Sequence, residues 1–293
     1  MSKFTHVAAA LKTACFCQQK RLKNHLGIKG KPTSRVMDQG IDTAVERYTR
    51  ICETLKAHLP GDLDLKDAVA CEIGCGDCFA AADMMLGLGA RHVHLVEFQP
   101  LELSHEHLAA ISRMSGKNGL PNRGEIVEDG NPPHLAAAKA TYHQGLLEDT
   151  RIPEKVDLLY SFDVLEHVED LDGFFSYCGE VVKPGGYMLH KFDLSGHGLF
   201  EDPMPPLDFQ TFPKWLFDLI FPKYMRAVGN FADEFLTVME KHGFTDFKTI
   251  PIRTAEPAYL DAVWPHLRPE AHTRSKENVS LLDLVVVSRR RED

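Results

Sequence analysis

The feature that most constrains this chain is a glycine-rich turn at the end of a short apolar run. Residues 68–73 read Ala-Val-Ala-Cys-Glu-Ile and favour a buried strand. Gly74 and Gly76 follow at once, and glycine permits the tight turn and the close ligand approach that other residues resist. Residues 79–88 then predict a helix whose first amide groups point towards the same turn. This order of elements predicts an α/β protein that binds a ligand at the turn.

The second predicted strand indicates what kind of ligand the turn binds. It covers residues 92–96 and leads to Glu97, about twenty residues beyond the glycines, where nucleotide-binding α/β folds carry the acid that accepts from ribose hydroxyls. Phe79 stands where a dinucleotide fingerprint has its third glycine, which disfavours an NAD-dependent oxidoreductase, and no P-loop sequence follows. Glu72 instead favours a ligand with positive charge, such as S-adenosylmethionine.

Two further motifs follow in the expected order. Residues 158–168 read Leu-Leu-Tyr-Ser-Phe-Asp-Val-Leu-Glu-His-Val, and residues 182–186 read Val-Lys-Pro-Gly-Gly. Together with the glycine turn, they make residues 66–192 resemble the class I S-adenosylmethionine-dependent methyltransferases. Predicted strands also lie at residues 138–144, 156–161 and 186–192, with a final pair near 247–252 and 281–288. The resemblance implies methyl transfer, with S-adenosyl-L-methionine as the cofactor.

The expected fold class is therefore α/β, a Rossmann-like doubly wound sheet that is seven-stranded and mostly parallel. An N-terminal helical segment and an aromatic-rich lid insertion accompany it, with a helix predicted at residues 38–59. We expect an N-terminal arm and helical lid over residues 1–65, and the S-adenosylmethionine-binding domain over 66–293. The insertion at 193–235 is the expected substrate or lid segment.

The resemblance also implies a set of cofactor-binding residues at the carboxyl ends of the strands. In chain order they are Glu72, Gly74, Cys75, Gly76, Glu97, Phe98, Leu146, Leu147, Ser161, Phe162 and Asp163. The glycine turn would line the methionine part, Glu97 would hold the ribose hydroxyls, and Phe98 with the 146–147 turn would flank the adenine. Glu148 or Asp149 is a second choice for an acid that contacts the adenine.

Four polar residues near the ends of the fourth and fifth predicted strands are candidates for catalysis. They are His167, His190, Asp193 and His197. An imidazole takes up a proton near neutral pH, which suits a general base for a hydroxyl acceptor, and Asp193 would orient one of the rings. The alternative for each histidine is a purely structural role in the loop or beneath the lid.

Aromatic side chains concentrate in residues 195–224, which are also rich in proline. Such a segment indicates a lid, a substrate wall or a subunit interface, through which we expect any homodimer to form. The alternative is that these aromatics only cap the core. The substrate or lid candidates are Tyr48, Phe200, Trp215 and Asn230.

Composition limits the classes of partner that the chain is expected to bind. Acidic residues outnumber basic ones by 42 to 33, giving a formal charge of −9, which disfavours a nucleic-acid partner. No apolar run of about 18 residues predicts a membrane span, and no leader is recognised, so a cytoplasmic protein with a small-molecule acceptor is expected. The seven cysteines are expected as free thiols. Cys71, Cys75 and Cys78 are not expected to bind a metal, because a fourth ligand at suitable spacing is missing.

The residue pattern leaves the acceptor atom open. The sequence after the fifth predicted strand, residues 193–197, and the later Asn230 resemble methyltransferase-like proteins of sugar and natural-product pathways. O-methylation of a sugar or secondary-metabolite hydroxyl is therefore the first expectation. The alternatives are S- or N-methylation of a small metabolite such as an amino acid, and a non-catalytic protein that only binds S-adenosylmethionine.

Overall fold

Seven strands form the main sheet, and a separate pair forms a small hairpin, in the residues described by this computed structural model: 36–117, 119–196, 205–220 and 229–292. The strands are β1 (Val69–Ile73), β2 (His92–Glu97), β3 (Val127–Glu128), β4 (His134–Leu135), β5 (Ala140–Gln144), β6 (Val156–Phe162), β7 (Val182–Asp193), β8 (Phe244–Thr254) and β9 (Leu281–Arg290). The helices are α1 (Ile41–His58), α2 (Ala80–Gly87), α3 (His105–Met114), α4 (Leu171–Val181), α5 (Lys214–Ile220), α6 (Ala232–Lys241), α7 (Pro257–Val263) and α8 (Lys276–Ser280).

The main sheet has the order β5-β2-β1-β6-β7-β9-β8. The first five strands pair in parallel, and β9 runs antiparallel to both β7 and β8. Because parallel strands need crossover connections, helices cover both faces of the sheet. This topology confirms the expected Rossmann-like, seven-stranded and mostly parallel fold.

Two apolar cores lie on the two faces of the sheet. On one face, Leu55 of α1 and Met85 of α2 pack in the same cluster as Leu95 of β2. On the other face, Phe175 of α4 and Phe235 of α6 belong to a second cluster. The central strand β1 is buried along its whole length, since both clusters cover it, and its apolar run without alternation follows from that position.

A third apolar cluster, which the sequence did not predict, lies near the carboxyl end of β7. It joins the 205–212 segment and Phe231 to the connection between β8 and β9, which contains α7 and α8. We call residues 205–217, 229–231 and 255–280 the cap. A backbone hydrogen bond from the Gly196 N–H to the Pro206 carbonyl (3.1 Å) holds it to the segment directly after β7, and the Leu194 N–H donates to the Leu282 carbonyl of β9 (2.7 Å) beside it. Leu207 and Phe231 thus pack with a second, later segment of the chain.

No described helix is both long and apolar enough to cross a membrane.

Candidate functional site

The glycine turn after β1 has a backbone that only glycine adopts easily. Gly74 has φ 67° and Gly76 has φ 64°, both in the left-handed region. A Cβ added at Gly74 would lie 2.4 Å from Val164 Cγ2, and one added at Gly76 would lie 2.7 Å from the Tyr48 hydroxyl oxygen. Neighbouring elements therefore pack directly against the turn and fix its shape.

Glu97, at the end of β2, lies against this turn as the sequence predicted. Its Oε2 accepts a hydrogen bond from the Gly76 N–H (3.2 Å), and its Oε1 accepts one from the Gln99 N–H (3.3 Å). Burial raises the pKa of Glu97, while the backbone donors act in the opposite direction. The carboxylate is thus placed at the turn, where ribose hydroxyls would donate to it.

Glu72 lies buried within β1, just before the turn. Its Oε2 accepts a hydrogen bond from the Tyr160 hydroxyl (3.1 Å), and burial raises the pKa of Glu72 to about 8. Within the described part of the chain, neither Glu72 nor Glu97 pairs with a lysine, arginine or histidine. Two buried acids without a basic partner fit a ligand that brings positive charge, as S-adenosylmethionine does.

The adenine side of the predicted site is bordered by exposed apolar side chains. Phe98 is 64% exposed and Leu146 is 53% exposed, although both are large and hydrophobic. The Gly145 N–H donates to the Glu97 carbonyl (2.9 Å), which brings the turn after β5 beside the end of β2. Leu147, in contrast, is buried in the second core, so its side chain is not available to a ring at this edge.

Helix α1 is attached to the glycine turn through Asp77, a residue that the sequence analysis did not single out. The Tyr48 hydroxyl donates to Asp77 Oδ1 (2.8 Å), and the Met37 N–H donates to Asp77 Oδ2 (3.0 Å). Burial, together with the Asp77 charge, raises the pKa of Tyr48. An acid directly after the second glycine was the available signal. The contact joins helix α1 to the glycine turn.

A narrow cleft opens beside this contact. It is lined by residues of the glycine turn, the segment after β2 and β5: Gly76, Asp77, Phe79, Gln99, Leu101 and Tyr142. Cys75, predicted as part of the cofactor site, is itself buried within the turn, and burial raises the pKa of its thiol.

The end of β6 places its three predicted residues differently. Phe162 packs partly buried against the core that contains α1 and α2. The Ser161 side chain is fully buried, with its Oγ 2.8 Å from His190 Nδ1. Asp163 has φ 54°, and its Oδ1 lies 2.5 Å from Lys191 Nζ. The hydroxyl of Ser161 therefore points into the protein, which does not support a cofactor contact through that group.

His190 is not placed to act as the general base. It is fully buried, and the rings of Phe174, Phe175 and Phe192 surround it. Burial lowers its pKa to about 3, so the imidazole is neutral near pH 7. Because strand residues alternate between faces, this side chain belongs to the core and has no access to an acceptor.

The other catalytic candidates divide between the described and undescribed residues. His167 is half-buried in a 3₁₀ turn, Leu165–His167, directly after β6. Asp193 ends β7, and its Oδ1 accepts from the Ser195 N–H (2.9 Å) and hydroxyl (2.6 Å). His197 and Phe200 lie outside the described residues. Trp215 on α5 is 68% exposed, and Asn230 is half-buried.

A charged network that the sequence did not reveal crosses the carboxyl edge. We call it the edge network; its members are Asp163, Lys191, Asp193, Arg253 and Asp283. Lys191 Nζ lies 3.2 Å from Asp283 Oδ1 as well as 2.5 Å from Asp163 Oδ1. These residues come from four separate segments, so no local sequence pattern could have predicted the grouping.

Comparisons with known proteins agree with this description. Residues 71–190 match the family model described as a methyltransferase domain. A 36-residue segment is 47% identical to the ubiquinone biosynthesis O-methyltransferase of Chelativorans sp. (strain BNC1), and this match covers 12% of the chain and 14% of that relative.

Similar solved structures share little sequence with the chain. A structure of a putative S-adenosylmethionine-dependent methyltransferase from Listeria monocytogenes has a TM-score of 0.45 and 13% identity, covering 82% of this chain and 97% of that one. A Haemonchus contortus phosphoethanolamine N-methyltransferase 2 structure, in complex with S-adenosyl-L-methionine, has a TM-score of 0.49 and 17% identity. The latter match covers 90% of this chain and 61% of that one.

Proposed function

We propose that this chain, whose residues 71–190 form a class I S-adenosylmethionine-dependent methyltransferase domain, methylates a hydroxyl group of a small molecule. The observation that carries the proposal is the arrangement of the carboxyl edge. Buried acids at the glycine turn fit the cationic cofactor, and the apolar cap lies at the same edge, beside the end of β7. The hydroxyl acceptor is also supported by the matched segment of an O-methyltransferase.

S-adenosylmethionine is the cofactor of this domain, and when bound it supplies a methyl group on a positively charged sulfur. Gly74 and Gly76 would leave room for its methionine part, since they carry no side chains. Glu97 would accept hydrogen bonds from its ribose hydroxyls. Phe98 and Leu146 would border the adenine ring with exposed apolar surface.

The protein contributes geometry and the exclusion of water. An in-line displacement needs the acceptor atom about 3–3.5 Å from the methyl carbon, held in the correct direction. Helix α1 covers the glycine turn, and we assign the cap to the acceptor. Water kept out by these two elements can neither compete as a nucleophile nor weaken local electrostatic interactions.

A hydroxyl acceptor must lose its proton as it is methylated. Of the described histidines predicted for this step, His167 remains the candidate general base. It lies in the 3₁₀ turn shortly after β6 and is only half-buried. An imidazole at this place would take up the proton near neutral pH. His197 stays a prediction for the same role, and Asp193 stays a prediction for orienting the base.

A nitrogen or sulfur acceptor is the second candidate, and one observation favours it. The edge network contains three acids and two bases, so its formal charge is negative. Methylation of a tertiary amine or a thioether leaves a cation on the product, which a negative surface stabilises. Such acceptors also need no general base.

The experiment that tests this proposal is an acceptor screen that measures release of S-adenosylhomocysteine. Sugars and phenols, amines and amino acids, and thiols or thioethers would be offered to the purified chain, with Glu97→Ala as the cofactor-deficient control. We expect release with a hydroxyl compound and about a tenfold or greater rise in the KM for S-adenosylmethionine in Glu97→Ala, because charge-assisted hydrogen bonds are lost.

The other outcomes separate the alternatives. Release with amines or sulfur compounds alone overturns the hydroxyl assignment and supports the second candidate. Cofactor binding by calorimetry without release for any acceptor class would indicate a protein that binds S-adenosylmethionine without transferring its methyl group.

A further inference from the structure

The edge network runs from the cofactor side of the sheet to β8 and β9, the strands on either side of the β8–β9 connection. Its second basic member, Arg253 at the end of β8, has Nε 2.5 Å from Asp283 Oδ2 and Nη2 3.5 Å from Asp193 Oδ1. Lys191 lies on the other side of Asp283 and reaches Asp163. Charges therefore alternate in sign from the turn after β6 to the two strands that flank the β8–β9 connection.

Lys191 occupies a largely buried position, where a lysine is unfavourable unless its charge is paired. Its neighbours in β7, His190 and Phe192, are fully buried, and its own side chain is only 18% exposed. Burial alone disfavours the ammonium form, but Asp163 and Asp283 more than offset this effect and raise the pKa of Lys191. An apolar side chain would fill the same space without the desolvation cost of a buried ion pair.

Asp163 is the partner through which Lys191 reaches the cofactor site. Lys191 contacts it twice, because the Asp163 N–H donates to the Lys191 carbonyl (3.0 Å) and the ammonium group meets the carboxylate. Asp163 also has a left-handed backbone (φ 54°), which is unfavourable for a residue with a Cβ. The two contacts hold this residue in a conformation that it would otherwise rarely adopt.

The next residue transmits that conformation to the glycine turn. Val164 packs so closely on Gly74 that a Cβ added there would lie 2.4 Å from its Cγ2. The Gly74 N–H in turn donates to the Val96 carbonyl (2.8 Å), which ties the turn to the end of β2. A shift of Asp163 would therefore move Val164 and displace the turn.

We propose that Lys191 is a positioning residue for the cofactor site: its ammonium group holds Asp163, and Asp163 fixes the turn that packs against Gly74. Lys191 acts through Asp163 and makes no contact with the cofactor. The proposal rests on the cofactor of the proposed function, and it does not depend on which acceptor is methylated.

The test is a double-mutant cycle on S-adenosylmethionine affinity, measured by calorimetry. We expect Lys191→Met to weaken binding about tenfold, and Lys191→Arg to stay within about threefold of the wild type, because the arginine keeps the charge-assisted contact. Lys248→Met is the matched control, since Lys248 is an exposed lysine in the middle of β8, the outermost strand of the same sheet. That control variant should bind as the wild type does.

The cycle separates positioning from a general loss of structure. If Lys191 acts through Asp163, Lys191→Met should weaken binding by less than about twofold when introduced into Asp163→Asn, because the interaction is already absent. Lys191→Gln replaces Lys191→Met in the cycle if the methionine variant does not fold. A full loss in the Asp163→Asn background, or wild-type affinity in both single variants, overturns the proposal. A wild-type chain that fails to bind S-adenosylmethionine overturns the cofactor assignment itself.

Discussion

The two halves of the sheet hold their functional residues in different ways. In the cofactor half, β5, β2, β1 and β6, the glycine turn and Glu97 lie at the ends of adjacent strands, although the Glu72–Tyr160 contact behind them spans 88 positions. In the half that we assign to the acceptor and call the acceptor half, β7, β9 and β8 with the cap, the contacts join residues far apart in the chain: Lys191 meets Asp283 across 92 positions, and Tyr259 meets Asp208 across 51.

This difference explains why short sequence motifs reveal the chemistry of one half of the sheet and not that of the other. A turn such as Gly74 to Gly76 needs glycine for backbone reasons alone, so it leaves a short and recognisable pattern. An ion pair such as Lys191–Asp163 needs only complementary charges at two places that the fold brings together. The cofactor is therefore identified by local motifs, while the surroundings of the acceptor depend on tertiary packing.

The largest effect on stability and cofactor binding is expected from a substitution in the glycine turn. We expect Gly74→Ala to lower the free energy of unfolding by about 2–5 kcal/mol, from the left-handed backbone and the overlap with Val164 together. Binding of S-adenosylmethionine should weaken at least tenfold, because the turn must move to accept a Cβ. Urea unfolding and calorimetry measure the two effects.

Gly243, between α6 and β8, is the matched control in the acceptor half. It also has a left-handed backbone (φ 85°), but a Cβ added there would meet no atom within 4 Å. Gly243→Ala should therefore cost only about 1–2 kcal/mol and leave cofactor affinity unchanged. Equal effects of the two substitutions on affinity would show that the glycine turn has no special part in binding.

The sequence predicted most of the fold, because hydrophobic periodicity and turn residues mark each strand and helix independently. The predicted helix at 38–59 is found as α1, Ile41–His58, and the predicted strand at 68–73 is found as β1, Val69–Ile73. The predicted strand at 186–192 is longer in the structure, where β7 begins at Val182. The turn suggested by the Lys-Pro-Gly-Gly sequence interrupts this strand, since Gly185 has φ 76° and the pairing with β6 passes from Val182 directly to Tyr187.

The candidate site was predicted less completely, and the reasons are specific. Gly76 and Glu97, each predicted to contact the cofactor, lie within hydrogen-bond distance of each other, because a sheet brings the ends of neighbouring strands together. His190 was misjudged, because sequence position shows that a residue is near an edge but not which face its side chain occupies. The helices α7 and α8 of the cap were missed, since they are short and their stability comes from packing against Leu207 and Phe231.

An effect of intermediate size is expected on the pH dependence of stability, and it can be compared for one buried histidine in each half of the sheet. His190 has a folded-state pKa of about 3 against an ordinary 6.5, so the unfolded chain binds its proton first as the pH falls. Stability from this group is complete above pH 6.5 and is lost below it. At about 1.4 kcal/mol per unit, the loss by pH 5 is about 2 kcal/mol. In His190→Gln, the stability difference between pH 7 and pH 5 should shrink by this amount.

The corresponding histidine of the cofactor half should lose less stability than His190 only below about pH 4. Burial lowers the pKa of His94 to about 4, and neighbouring His92 and His143 act in the same direction, but Glu154 Oε1 lies 3.8 Å from its Nε2 and favours the protonated form. Between pH 7 and pH 5 the pH stays above the folded-state pKa of both groups, so His94→Gln and His190→Gln should each reduce the pH dependence by about 2 kcal/mol. The two differ only below about pH 4, where folded His94 takes up its proton and its further loss of stability stops, while that of His190 continues. Denaturant unfolding extended to about pH 3.5 decides this, and an equal further loss for both would show that Glu154 does not compensate His94.

The smallest effect on stability comes from two exposed aromatic residues, one in each half. Phe98 is 64% exposed and Trp215 is 68% exposed, so replacing either with alanine should change the free energy of unfolding by no more than about 0.5 kcal/mol. Their effects on activity should differ. Phe98→Ala should raise the KM for S-adenosylmethionine several-fold, and Trp215→Ala should raise the KM for the acceptor instead, because we assign the two side chains to different ligands.

Steady-state kinetics with both substrates varied separates the two roles of these aromatics. Sedimentation tests the alternative for Trp215, which is a place in a subunit interface. An unchanged acceptor KM in Trp215→Ala, together with a fall in mass from dimer to monomer, would assign the α5 surface to a subunit interface and remove it from the lid. Loss of cofactor affinity in Trp215→Ala would contradict the division of the sheet into two halves, since an acceptor-side residue would then contribute to the site that local motifs define.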